Sequence, residues 1–184
     1  MKSIRHAVLA LAACAAILSA AEPLALTGTD GKPVSVKLEG KTTAVFFVAT
    51  QCPVSNDYNA RMKELYSEYM AKGIDFVFVN SNSTEPAAEV VKHAQDNGFT
   101  FAVHKDLDNK VADRFNAQVT PEVLVFDKAG KIAYHGSIDD SRAAARITKR
   151  PLKDALDAIL AGKAVPVAES KAFGCTIKRA KKQS

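Results

Sequence analysis

The chain reads as an α/β layer protein, a mixed central sheet covered by helices on both faces. Three observations predict this. Two continuous apolar runs, "TTAVFFVAT" at 42–50 and "IDFVFVNSNS" at 74–83, have the composition of strands buried on both faces. Each is followed by a stretch with helical periodicity. A tight turn at 128–130 then joins two further strands into an antiparallel hairpin within "VTPEVLVFDKAGKIAYHG". Strand–helix alternation gives parallel neighbours, and the hairpin adds antiparallel ones.

Taken in order, residues 22–41 are turn-rich, and "VSVKL" alternates like a short strand. The run at 42–50 ends just before Cys52. Residues 53–72 read as one helix: Pro53 suits a first turn, Tyr58, Met62, Leu65 and Tyr69 recur at helical spacing, and Gly73 stops it. After the second buried strand, a helix opens at Thr84 or Glu85 and closes at Gly98. Residues 99–106 form a shorter strand and 109–117 a short helix. The hairpin follows, and a last helix spans 151–161, with Leu152, Leu156, Ile159 and Leu160 on its apolar face. Residues 166–184 form an arm and a basic tail that carry Cys175. No repeat or linker divides the chain, so residues 22–165 are expected to be one domain.

The N-terminus reads as a secretory signal. Lys2 and Arg5 precede the apolar run 7–20, and small residues lead to Glu22 and Pro23, which places the cut after Ala21. The run is shorter than the roughly 20 residues a membrane span requires. The mature chain is therefore expected to be exported, periplasmic or extracytoplasmic, without a membrane span. A second reading takes "LAAC" as a lipoprotein box with acylation at Cys14, although the apolar run continues past that cysteine.

Of the 184 residues, 25 are Lys or Arg and 20 are Asp or Glu, a formal charge of +5. Lys2 and Arg5 leave with the signal, and Lys178, Arg179, Lys181 and Lys182 sit in the tail. The body is thus nearly neutral, which argues against a nucleic-acid groove.

Two of the three cysteines, Cys52 and Cys175, survive cleavage into a compartment where disulfides persist. Cys52 stands where a buried strand hands over to a helix. Free N–H groups and the helix dipole favour a thiolate there, and the thiolate is the nucleophile of disulfide exchange and of attack on peroxide. The bland alternative is an inert core cysteine. Thr120-Pro121 stands at a strand entry, where a proline cannot complete a ladder; it is either an ordinary loop proline or a cis one packed at a site.

With "QCPVS" and "VTPEVLVF" at those places, residues 42–161 resemble the thioredoxin superfamily, which implies a thioredoxin-like three-layer fold. The resemblance implies Cys52 as nucleophile and Thr120-Pro121 as the loop that packs beside it and docks substrate backbone. Ser55 departs from the family's C-x-x-C and cannot close a disulfide. "FVATQCPVSNDYNARMKELY", "YHGSIDDSR" and "FGCTIK" are similar to exported peroxiredoxin-like members. The peroxidase signature P-x-x-x-[ST]-x-x-C is absent: Val45 and Ala49 stand at its Pro and Thr/Ser positions, and Thr50 is off by one.

The resulting expectation is a thiol–disulfide oxidoreductase or weak peroxidase. Cys52 is its nucleophile and Cys175 its candidate resolving thiol, unless the two cysteines are unrelated. A thiol/disulfide protein or a peroxide would be the substrate, and an external electron donor is required. No organic cofactor or metal is implied. The rival is a thioredoxin-fold copper carrier, using Cys52 with His135, or a non-catalytic binding module. Asp139–Arg142 reads as a surface cluster from which Arg142 could reach a thiolate.

Overall fold

The computed structural model describes residues 22–181. The signal segment, with Cys14 and the cut after Ala21, lies outside the described residues, as does Lys182. No helix among the described residues is long and apolar enough to cross a membrane.

The central sheet has seven strands. They are β1 (Leu24–Thr27), β2 (Pro33–Val36), β3 (Thr43–Phe47), β4 (Asp75–Asn80), β5 (Val103–Lys105), β7 (Glu122–Phe126) and β8 (Ile132–Gly136), in the order β2-β1-β5-β4-β3-β7-β8. β3 runs parallel to β4 and β4 to β5; β7 lies antiparallel to both β3 and β8. This is the mixed sheet that the strand–helix alternation and the hairpin predict. β6 (Val119–Thr120) and β9 (Cys175–Thr176) form a separate two-stranded ladder.

Every residue of β3 and β7 is buried, because their side chains feed two cores. On one face Phe46, Phe78, Val123, Val125 and Tyr134 pack against helices α1 (Pro53–Asp57), α2 (Asn59–Met70), α3 (Ala87–Asp96) and α5 (Pro151–Leu160). On the other, Val45, Phe47, Val77, Val79, Leu124 and Phe126 meet α4 (Lys110–Arg114), the β1 strand and Ile177 of the arm. Burying each such aliphatic or aromatic side chain contributes about 1.5–3 kcal/mol, so both layers are needed to hold the sheet.

The helix expected over 53–72 is two helices, offset at Tyr58. No glycine or proline marks the break. Tyr58 is instead held from afar: its hydroxyl donates to Asp139 Oδ1 at 2.8 Å, and the Arg61 guanidinium lies 3.6 Å above its ring while binding Asp139 Oδ2 at 2.6 Å. Asp139 is therefore a buried anchor, not a surface residue. Arg142 does not reach the thiol; its Nε donates to Asp57 Oδ2 at 2.8 Å.

The next helix starts at Ala87, later than expected, which leaves Glu85 in the preceding turn. There its buried carboxylate accepts four hydrogen bonds: from the backbone N–H groups of Thr50 (2.8 Å) and Gln51 (3.1 Å), and from the side-chain amides of Asn80 (2.5 Å) and Asn82 (3.0 Å). Lys105 Nζ donates to Asn80 Oδ1, Asn82 O and Glu85 O. A buried charge persists only when so surrounded. This polar box ties the carboxyl end of β4 to the loop that leads from β3 into α1.

The arm is bonded along its length. Ser170 N donates to His135 O at 3.0 Å, and Ser170 Oγ accepts from Ser137 N at 2.9 Å and bonds Tyr134 Oη at 2.6 Å. Ile177 is buried, and its N–H donates to Gln118 O at 2.9 Å. Gly174 passes so close to the neighbouring loop that a Cβ there would stand 2.0 Å from Thr120 O.

Two outcomes follow from these contacts. Glu85→Gln turns an amide donor toward backbone N–H donors, and is expected to cost about 1–3 kcal/mol in denaturant unfolding of the reduced protein. Gly174→Ala is expected to cost a similar ~1–3 kcal/mol through the steric conflict. It should also speed hydrogen exchange at the Ile177 amide; unchanged exchange there would contradict the close packing of the arm.

Candidate functional site

The site forms at the carboxyl edge of the sheet, where β3 ends. Cys52 is the N-cap of α1, and its Sγ accepts a hydrogen bond from the Ser55 N–H at 3.3 Å. The cap is the usual place for an oxygen acceptor, and here sulfur serves. Ser55 is buried and its hydroxyl accepts from the Ala49 N–H at 3.2 Å. The residue that breaks the C-x-x-C pattern therefore pins the loop on the other side of Cys52.

From across the site comes the loop that carries Thr120 and Pro121. The Thr120–Pro121 peptide is cis. The Cys52 thiol donates to the Thr120 carbonyl at 3.3 Å. Thr120 Oγ1 is buried and makes no hydrogen bond beside the Cys52 thiol, which leaves its hydroxyl to donate once that sulfur is a thiolate.

The third contributor is the arm. β9 pairs antiparallel with β6, and the register sets Thr120 opposite Cys175. This puts the Cys175 thiol beside Cys52, close enough for each to perturb the other. Both cysteines are free; Cys52 is 3 % exposed and Cys175 is partly exposed. Residues 52, 120, 121 and 175, from three distant parts of the chain, thus come together.

The electrostatics separate the two thiols. Burial pushes the Cys52 pKa up. Hydrogen bonds from the Cys175 thiol, the Ser55 N–H, the Thr120 hydroxyl and the Cys175 N–H more than offset this, and hold it below an ordinary thiol. Cys175 goes the other way. Its hydrogen bond to Cys52, burial and the negative charge Cys52 would carry raise it, against the Val54 N–H and the positive charge of Lys178.

Two buried acids beside the site are not among the residues the sequence singles out. Glu122 follows Pro121 directly. It accepts from the N–H groups of Gln118 (2.8 Å) and Val119 (3.0 Å) and pairs with His135 Nε2 at 2.6 Å. Burial would raise its pKa, but His135 and the two amides bring it below the usual value. Glu85, in the polar box, holds the loop before Cys52. A carboxylate opening the apolar run "EVLVF" was the available signal for Glu122; Glu85 carried none, because it reads as an ordinary first-turn acid.

The pairing with Glu122 takes His135 Nε2 and leaves only Nδ1 to a Cys52–His135 metal site. Among the described residues no three His, Cys, Asp or Glu side chains group as metal ligands. The Thr50 hydroxyl is also engaged, donating to Glu89, while Ala49 offers no hydroxyl at the peroxidase position.

Comparison with known proteins places the fold. An uncharacterized conserved protein of Geobacillus kaustophilus superposes with a TM-score of 0.80 at 32 % identity, over 89 % of this chain and 92 % of that one. A hypothetical protein of Sinorhizobium meliloti 1021 does so with 0.78 at 25 %, over 87 % and 92 %. In sequence, the chain is 28 % identical over 108 residues to the thiol-disulfide oxidoreductase ResA of Halalkalibacterium halodurans, which covers 58 % of this chain and 60 % of that relative. The Redoxin family model matches residues 13–156, most of the chain, and so the protein, with its thioredoxin-like fold, belongs to the Redoxin family.

Proposed function

We propose that the protein is a thiol–disulfide oxidoreductase that cycles between a Cys52/Cys175 dithiol and a Cys52–Cys175 disulfide. The observation that carries this reading is the β6–β9 register, which sets one free thiol beside another, the first favoured as thiolate and the second as thiol. Such a pair divides the work of exchange: the first attacks, and the second stays protonated until needed. The likeness to ResA supports the reaction class.

In the oxidising direction, the Cys52 thiolate attacks one sulfur of a substrate disulfide. A Cys52–substrate mixed disulfide forms and the other substrate sulfur leaves as a thiolate, taking up a proton. Cys175 gives up its proton and attacks Cys52 Sγ; the second substrate thiol is released and the intramolecular disulfide closes. Two electrons have passed to the substrate, and an external thiol must return them. In the resting dithiol Cys52 is covered, so the substrate reaches it as residues 174–176 lift. A two-residue ladder pairs that segment with β6, and Ile177 anchors the chain just beyond it.

Thr120 and Pro121 shape the pocket of Cys52, and the Thr120 hydroxyl stabilises its thiolate. Disulfide exchange is favoured over peroxide reduction because no hydroxyl stands at the position of Ala49 to polarise a peroxide. The setting is an exported one, argued from the leader-like residues 1–21; the mass of the secreted chain tests the cut after Ala21.

Three measurements check the reading. Oxidation of the protein is expected to join Cys52 to Cys175, seen in non-reduced peptide maps. Cys52→Ser is expected to abolish disulfide reductase turnover, whereas Cys175→Ala should trap substrate on Cys52; normal turnover in Cys52→Ser would reject the proposal. Thiolate absorbance of the reduced protein should rise with pH in two steps, one below and one above the ordinary thiol value of about 8.5. These steps belong to the pair, and the first should move to higher pH in Cys175→Ala, where the donating thiol is gone.

A further inference from the structure

The two sulfurs differ in what stands in front of them. Cys52 is enclosed by α1, the Thr120–Pro121 loop and β9, and is 3 % exposed. Cys175 is partly exposed and lies between two exposed residues, Gly174 and Thr176. In the dithiol state β9 is held at this point by a short ladder. In the disulfide state it is also held by a covalent bond to the residue it covers. Oxidation therefore fixes in place the segment that would have to lift for anything to reach Cys52.

We propose that the oxidised protein is reduced by an external thiol that attacks Cys175, so that substrate is met at Cys52 and the electron donor at Cys175. This rests on the dithiol reading above and assigns its returning step. The donor's thiolate attacks Cys175 Sγ, a Cys175–donor mixed disulfide forms, the Cys52–Cys175 bond breaks, and Cys52 leaves as a thiolate. A second donor thiol, on the same molecule or another, attacks the donor sulfur of the mixed disulfide. Cys175 leaves, takes up a proton, and the donor departs as its disulfide, having given two electrons.

Two further features favour this direction. The sulfur whose anion is better stabilised leaves more easily in exchange, and the Ser55 N–H, 3.3 Å from Cys52 Sγ, is placed to stabilise that of Cys52. The charge of exposed Lys178 acts on Cys175, which favours approach of an anionic thiolate there.

The test uses the full secreted chain, oxidised and shown by peptide mapping to hold the Cys52–Cys175 bond. It is exposed briefly to glutathione, quenched with acid, alkylated and mapped. Glutathione on Cys175 with Cys52 alkylated is expected, in excess over the reverse pattern by roughly tenfold or more given the unequal leaving groups. Adducts on Cys52, or evenly on both, overturn the assignment while leaving the dithiol reading intact. Failure of the two cysteines to join at all overturns that reading, and this one with it.

Discussion

The site depends on one short ladder. β6 and β9 exchange backbone hydrogen bonds over two residues, and the register of that pairing, Thr120 against Cys175, is what sets the second sulfur beside the first. Side chains alternate along a strand, so a slip of one residue would turn Cys175 to the other face and bring Gly174 or Thr176 to the site. The register is secured on both sides. Gly174 fits against the Thr120 carbonyl only because it lacks a Cβ, and Ile177 is buried in the second core. A packing constraint thereby becomes a chemical one.

Charge buried beneath the site holds the two loops that flank it. Glu85 binds the loop before Cys52, and Glu122 binds the amides that precede Thr120. Neither carboxylate touches the sulfurs through any of these bonds. Each replaces the water a loop amide would otherwise keep, which allows irregular backbone to be packed tightly against the Cys52 sulfur. The loops are thus fixed from below, while the arm covers the site from the outside.

Much of this architecture was legible in the residues. The apolar runs at 42–50 and 74–83 read as buried strands, and the hairpin turn at 128–130 added antiparallel neighbours to make the sheet mixed. Cys52 was marked by its position at a strand end, and Cys175 by being the remaining thiol once the expected signal segment is set aside. What could not be read was long-range. Nothing near Tyr58 signals the helix offset, because its cause is Asp139, far along the chain. Glu85 lies outside the helix it was expected to open, because its partners are backbone amides in another loop. The two residues of β9 are too few to show a period, and their pairing is set by tertiary contact.

The arm has a second consequence, for the sheet as a whole. β8 is the last strand on its side, and an unpaired strand edge is a template for another chain. Here His135 N donates to Ala168 O and Ser170 N donates to His135 O, which form a bridge with Glu169 across that edge. At the opposite margin β2 is only four residues long, begins with a proline and buries none of its side chains fully. The segment that delivers the second thiol also closes the β8 margin against sheet extension, so the guarding of that edge and the placing of Cys175 draw on the same stretch of chain.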